Sequence, residues 1–171
     1  ENVRADGACE GSIMITASHL PFNRNGFKFF TKDGGLDKKD IARILELAEE
    51  DAAKGVGECD PRPAQVTDLA LMDAYCVHLQ QVIRTGVTDG STGAPDAAAA
   101  KKAAEKPLAG MKIVVDAGNG SGGFFAEKVL APLGADISGS QFLEPDGMFP
   151  NHAPNPENRE AMESISSQVI K

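Results

Sequence analysis

The stretch MKIVVDAGNGSGGFFAEKVLAPLGADI, residues 111–137, decides the fold class. Met111 to Val115 is an apolar run of strand length, and Asp116 to Gly123 is a glycine-rich turn. Phe124 to Leu133 then reads as a helix ending at Gly134, and Ala135 to Leu143 as the next strand. Strand, turn, helix and strand in that order form a half-unit with parallel strands, because a parallel pair needs the long crossover that a helix supplies. An α/β fold is expected.

The turn itself raises a ligand question. Gly118, Gly120 and Gly123 fall at the G-x-G-x-x-G spacing that lets a backbone approach a pyrophosphate, and Glu144 stands where a ribose-binding acid would. Against a dinucleotide, Asp116 puts a carboxylate at the mouth of the turn, and Glu144 is followed by Pro-Asp-Gly rather than a neat strand end. The competing reading is structural: glycines that let a helix pack close to its strand. From the residues alone the two are evenly matched.

Upstream, Ser12 to Thr16 and Phe27 to Thr31 read as strands flanking a polar cluster, with Asp33-Gly34-Gly35 as a closing turn. The apolar Ile13-Met14-Ile15 suggests a short buried strand. Asp37 is a candidate N-cap for a helix whose apolar face carries Ile41, Ile44, Leu45 and Leu47 and which ends near Lys54-Gly55. Thr67 or Asp68 would cap a second helix running through Leu69, Met72, Tyr75, Cys76 and Leu79 to Ile83. From Gly86 the composition turns to Gly, Ala and charge, as in a linker. The organisation expected is residues 1–90 as one domain, 91–106 as linker and 107–171 as a second domain, with a last helix starting near Pro156 or Glu157.

A formal charge of −8 argues against the broad basic face that a phosphate backbone requires, so no nucleic-acid partner is expected. No apolar run approaches the roughly 20 residues that span a bilayer, so no membrane partner is expected either. Cys9, Cys59 and Cys76 are odd in number and lack metal-ligand spacing, which favours small, at least partly buried side chains in a reducing compartment over a disulfide framework. The chain opens without Met and closes on Gln-Val-Ile-Lys, which reads as a fragment.

In the polar cluster, Ser18 has His19 beside it, with Arg24 and Lys28 downstream. A serine hydroxyl is a weak nucleophile without a base, but once phosphorylated it is a phosphoryl donor that needs cations around it. Lys28 can also move a proton if its pKa is lowered.

The run TASHLP, residues 16–21, followed by NGFK, residues 25–28, resembles the active-site loop of the α-D-phosphohexomutases, the phosphoglucomutase, phosphomannomutase and phosphoglucosamine mutase family. Thr16, Ala17, Ser18, His19 and Pro21 match that loop, and Leu20 replaces the usual Asn. KIVVDAGNGSGG and the later EPDGMFPNHAPNPE resemble the opening of the family's second domain, in the same order. The resemblance implies a four-domain architecture, of which this chain would hold two incomplete α/β domains with mixed sheets. It also implies phosphotransfer between the 1- and 6-positions of a hexose phosphate through a bound bisphosphate. Ser18 would be the phosphorylated residue and a ligand of Mg²⁺, and Lys28 would move a proton. His19, counted with Ser18 and Lys28 as catalytic, would hold the loop and its phosphate, with Thr16 and Arg24 as phosphate-binding candidates. The remaining metal ligands, in a D-G-D-x-D-R loop, would lie beyond Lys171. The partners implied are the hexose phosphate and the rest of the parent chain, in the cytoplasm or a plastid stroma. The glycine turn would then be mainly structural, and Asn151 and His152 would have supporting roles. A non-catalytic remnant or assembly partner that keeps the fold is the alternative, with a dinucleotide-binding module behind it.

Overall fold

In a computed structural model, which describes residues 9–55, 66–89 and 104–170, the chain divides into two compact units. The first contains an antiparallel sheet in the order β1 (Gly11–Ile15), β2 (Phe27–Thr31) and β3 (Gly34–Gly35). Ile13 pairs with Phe29 and Met14 with Lys28, so the apolar residues alternate across both faces. The expected strand forms but is not buried: Ile13, Met14 and Ile15 are 53–67% exposed. Within this unit no helix among the described residues packs closely against the sheet. Extended backbone pairing needs only the partner strand, whereas burial needs a second layer.

Helix α1 (Lys38–Lys54) starts and stops where local chemistry says it should. The Asp37 carboxylate accepts from the backbone N–H groups of Lys39 and Asp40, and the Asp40 side chain accepts from the Asp37 N–H. This reciprocal cap satisfies donors that the first turn otherwise leaves open. The N–H groups of Asp40 and then Lys39 hold the Asp37 carboxyl below its ordinary pKa. Gly55, at φ 79°, ends the helix in a conformation that costs glycine little. Of its apolar stripe, Ile41 and Ile44 are half-buried, while Leu45 and Leu47 are exposed.

The second unit holds the core. Helix α2 runs Met72–Asp89, later and longer than expected. Thr67 and Asp68 lie in an irregular segment and cap nothing; the first turn closes when the Tyr75 N–H donates to the Leu71 carbonyl at 2.9 Å. Cys76, Leu79, Ile83 and Val87 make one stripe of α2 that packs against Leu108, Val129, Leu130, Leu133 and Ala135. Buried Cys76 fits its expected role, Cys9 is exposed, and Cys59 lies outside the described residues, as does most of the expected linker. No helix among the described residues is long and apolar enough to cross a membrane.

The half-unit around the glycine turn is parallel, as its sequence implies, but neither of the expected strands, Met111 to Val115 and Ala135 to Leu143, forms continuously; the two segments pair through isolated bridges. Lys112 pairs with Asp136 and Asp116 with Gln141, so the register slips by one residue between the two bridges. The extra residue is absorbed in a turn that bonds the Ser140 N–H to the Ile137 carbonyl, with Gly139 at φ 91°. The Ser140 hydroxyl then accepts the Val115 N–H at 3.0 Å, replacing the interrupted ladder bond. The expected helix over Phe124–Leu133 starts at Phe124 as expected but widens into a π-helical turn, Ala126–Leu130, and ends there rather than at Leu133. Pro132 has no N–H to give the Lys128 carbonyl, and its ring crowds that position. The Ala131 N–H reaches back five residues to Ala126, and the Gln80 side chain on α2 donates to the orphaned Lys128 carbonyl at 2.9 Å. Helix α3 (Arg159–Val169) starts after Asn158, whose side chain accepts from Glu160 and Ala161, slightly later than the expected Pro156 or Glu157.

Leu133 is fully buried and Leu45 is 58% exposed. Leu133→Ala is expected to lower unfolding free energy by ~2–5 kcal/mol. Leu45→Ala should change it by about 0.5 kcal/mol or less. Urea denaturation of both variants checks the contrast, and equal losses would place the core elsewhere.

Candidate functional site

Ser18 sits in the loop that joins β1 to β2, and the neck of that loop is closed backbone to backbone. The Thr16 N–H donates to the Gly26 carbonyl at 2.9 Å. A Cβ at position 26 would lie 2.8 Å from the Thr16 carbonyl oxygen, so the two strands can approach this closely only with glycine there. Thr16 is therefore a neck residue through its main chain, and Asn25-Gly26 serves as the return of the loop. In the sequence this dipeptide stands out only as the start of the NGFK match.

At the tip, Ser18 is exposed and adopts φ 62°, a left-handed backbone that costs a non-glycine residue on the order of 1–3 kcal/mol. Such strain persists where surrounding structure enforces it, and functional loops are a common place for it. The His19 ring nitrogen Nδ1 lies 3.3 Å from the Ser18 hydroxyl oxygen. The structure thus brings Ser18 and His19 together. Farther round, the Arg24 N–H donates to the Pro21 carbonyl at 2.9 Å, which turns the chain back toward β2. Lys28 is exposed on β2, opposite Met14. Leu20 and Phe22 are 48% and 58% exposed, so the loop presents apolar as well as polar groups.

The glycine turn has a different geometry from a ligand cradle. A Cβ at Gly118 would meet the His152 ring at 2.9 Å, and one at Gly123 would overlap the Leu143 carbonyl. The space those glycines leave is filled by the protein's own chain. The Asp116 carboxylate, whose side chain is 5% exposed, accepts from the Gly118 N–H at 2.9 Å, the Gln141 amide at 2.8 Å and His152 Nε2 at 3.0 Å. Asn119, at φ 58°, donates to the Glu144 carbonyl and accepts from the Asn151 amide at 2.7 Å. Glu144 thus contributes a main-chain acceptor here. Asn151 and His152 hold the turn, whereas Asp116 was read from sequence only as a charge a pyrophosphate would avoid.

The family models sort the two regions without reference to this geometry. The model described as phosphoglucomutase/phosphomannomutase, alpha/beta/alpha domain I, matches residues 2–54, and that for domain II matches residues 94–171.

The chain belongs to the phosphoglucomutase/phosphomannomutase family.

Its relatives include a phosphoglucomutase of Neisseria meningitidis serogroup B, 31% identical over 92% of this chain. A phosphomannomutase/phosphoglucomutase of Pseudomonas putida is 29% identical over 95% of it, and a phosphoglucosamine mutase of a Sulfurovum species 31% over 92%. The chain spans 28% of the first of these proteins, 29% of the second and 32% of the third. As a phosphohexomutase-family chain it holds domain I and domain II segments, the first carrying the serine loop and the second the glycine turn.

Because the neck depends on backbone contact, Gly26→Ala is expected to force the strands apart there. The cost should be about 1–3 kcal/mol, as for other overpacked positions. Faster amide exchange at Thr16, with Ile113 unaffected, would register the opening; unchanged exchange at Thr16 would mean the neck does not need glycine.

Proposed function

We propose that Ser18 carries a transferable phosphate, and that the protein of which this chain is part interconverts hexose 1-phosphates and 6-phosphates. The observation that supports this most directly is the Ser18 backbone at φ 62°, exposed at a loop tip with an imidazole 3.3 Å from its hydroxyl, in a chain of the phosphohexomutase family.

In the forward step a sugar hydroxyl oxygen attacks the phosphorus of phospho-Ser18. One P–O bond forms to the sugar, the P–O bond to Ser18 breaks, and the serine oxygen leaves with its electron pair. The sugar hydroxyl proton goes to a base, the role proposed for Lys28, and a proton returns to the serine oxygen. The product is a hexose bisphosphate. In the reverse sense, with the sugar turned end for end, its other phosphate passes back to Ser18. The bisphosphate stays bound between the two steps, since its loss would leave Ser18 without a phosphate.

His19 contributes a ring nitrogen beside the phosphate-bearing oxygen and positions the loop. Arg24 and Thr16 are the candidates for holding phosphate oxygens from this part of the chain. Mg²⁺, when bound, would neutralise charge on the transferring group. Among the described residues no group of three or more His, Cys, Asp or Glu side chains could hold a metal ion. An oxygen of phospho-Ser18 is the ligand this chain would offer, with aspartates of a segment beyond Lys171 supplying the others.

The test uses the parent protein. Intact-mass measurement should find one added phosphate, absent in Ser18→Ala, and that variant should lose about 10³-fold or more of the interconversion of glucose 1-phosphate and glucose 6-phosphate. A parent that carries no phosphate and is inert toward all hexose phosphates would instead support a remnant that keeps the fold without turnover. Ordinary activity in Ser18→Ala would overturn the mechanism.

A further inference from the structure

His152 lies in the loop between the parallel pair and α3, with its side chain 9% exposed. Its two ring nitrogens face two acceptors. Nδ1 is 2.9 Å from the Ala153 carbonyl, and Nε2 is 3.0 Å from Asp116 Oδ1. A carbonyl oxygen cannot donate, and an ionised carboxylate cannot either, so each contact is a hydrogen bond only if the nitrogen carries a proton. A neutral imidazole has one N–H and would leave one nitrogen lone pair pointed at an oxygen lone pair. Only the imidazolium satisfies both sides.

The surroundings are shaped for this ring. Gly118 yields the space beneath it, since a Cβ there would approach Cε1 to 2.9 Å. The Phe142 ring packs edge-on at a centroid separation of 5.6 Å, and Phe142 holds φ 52°, a strained backbone for an aromatic residue. The Asp116 carboxylate also takes the Gly118 N–H and the Gln141 amide, and the latter amide bonds the Ser164 hydroxyl of α3 at 2.7 Å. The charged groups acting on the ring are Asp116, from the first parallel segment, and Glu160, from the first turn of α3.

We propose that His152 is held as an imidazolium, and that this cation is a pH-sensitive latch fastening the loop before α3 to the turn after the first parallel segment. The inference does not depend on phosphotransfer at Ser18. Burial pulls the His152 pKa down, but the Ala153 carbonyl and then the Asp116 carboxylate, with a smaller pull from Glu160, together raise it above the ordinary value. A group whose folded pKa is raised contributes stability that is complete below its unfolded pKa of about 6.5 and is lost as pH rises through the folded pKa. The latch therefore closes toward acid and opens toward base.

Proton NMR of the 171-residue chain tests the charge directly. The Cε1–H resonance of His152, assigned by its loss in His152→Gln, should titrate with a midpoint above 6.5, and a midpoint at or below that value overturns the proposal. Thermal melting between pH 6 and pH 9 tests the latch. The unsubstituted chain should lose stability as pH rises, and His152→Gln, which retains an amide donor but cannot titrate in this range, should show a flatter profile. Equal profiles would mean that the ring's charge does not hold the loop. Should His152→Gln fail to fold, assignment through His78→Gln and His19→Gln leaves the titration of the unsubstituted chain to decide.

Discussion

A carboxylate taken out of water must find donors, and Asp116 is the group on which the second unit turns. With its side chain 5% exposed, it is satisfied from three directions: its own turn through the Gly118 N–H, the second parallel segment through Gln141, and the loop before α3 through His152. Gln141 passes the connection on to Ser164, so α3 joins the same network. Oδ1 takes the Gly118 and His152 donors together while Oδ2 takes the Gln141 amide, so removing Gln141 would strip a buried carboxylate oxygen of that donor, which is costlier than never having buried it. The turn, the shifted parallel register and the position of α3 are therefore mutually dependent.

The apolar side of the same unit follows a comparable logic. Val129, Leu130 and Leu133 face the stripe of α2, and Pro132 interrupts their helix in the middle of that contact. Widening to a π-helical turn keeps these residues turned toward the core, and the carbonyl left over at Lys128 is answered from α2 by Gln80. The outer edges of this contact are reinforced by Lys128 with Asp73 and by Tyr75 against Phe124. The first pair is exposed, so it contributes little beyond alignment.

What the sequence revealed divides by range. β2 and α1 could be read closely, because a strand pair with a tight turn and an Asp-capped helix ending at glycine are specified within a few residues of themselves. The start of α2 could not, because Leu71 and Met72 carry no capping signal and the nearby Thr67 and Asp68 do. The slip between the parallel segments also escaped notice, since it depends on Ser140 finding an N–H in a distant strand. In the serine loop, the adjacency of Ser18 and His19 was plain, yet the left-handed backbone and the closed neck were not. The parallel turn shows the limit most clearly. The spacing of its glycines was equally compatible with a dinucleotide, and only the positions of His152 and the Leu143 carbonyl show what fills the space.

The neck at Thr16 and Gly26 is closed by a main-chain hydrogen bond, with the hydrogen that glycine offers in place of a side chain. Its span is thus indifferent to the identity of what it encloses, and residues 17–25 are tethered by a clasp they do not themselves make. Exchange at a position such as Leu20 alters the chemistry displayed without loosening the mount. Selection can accordingly retune what the tip greets while the frame that carries it stays put, and an insertion within the span would disturb far more than a substitution.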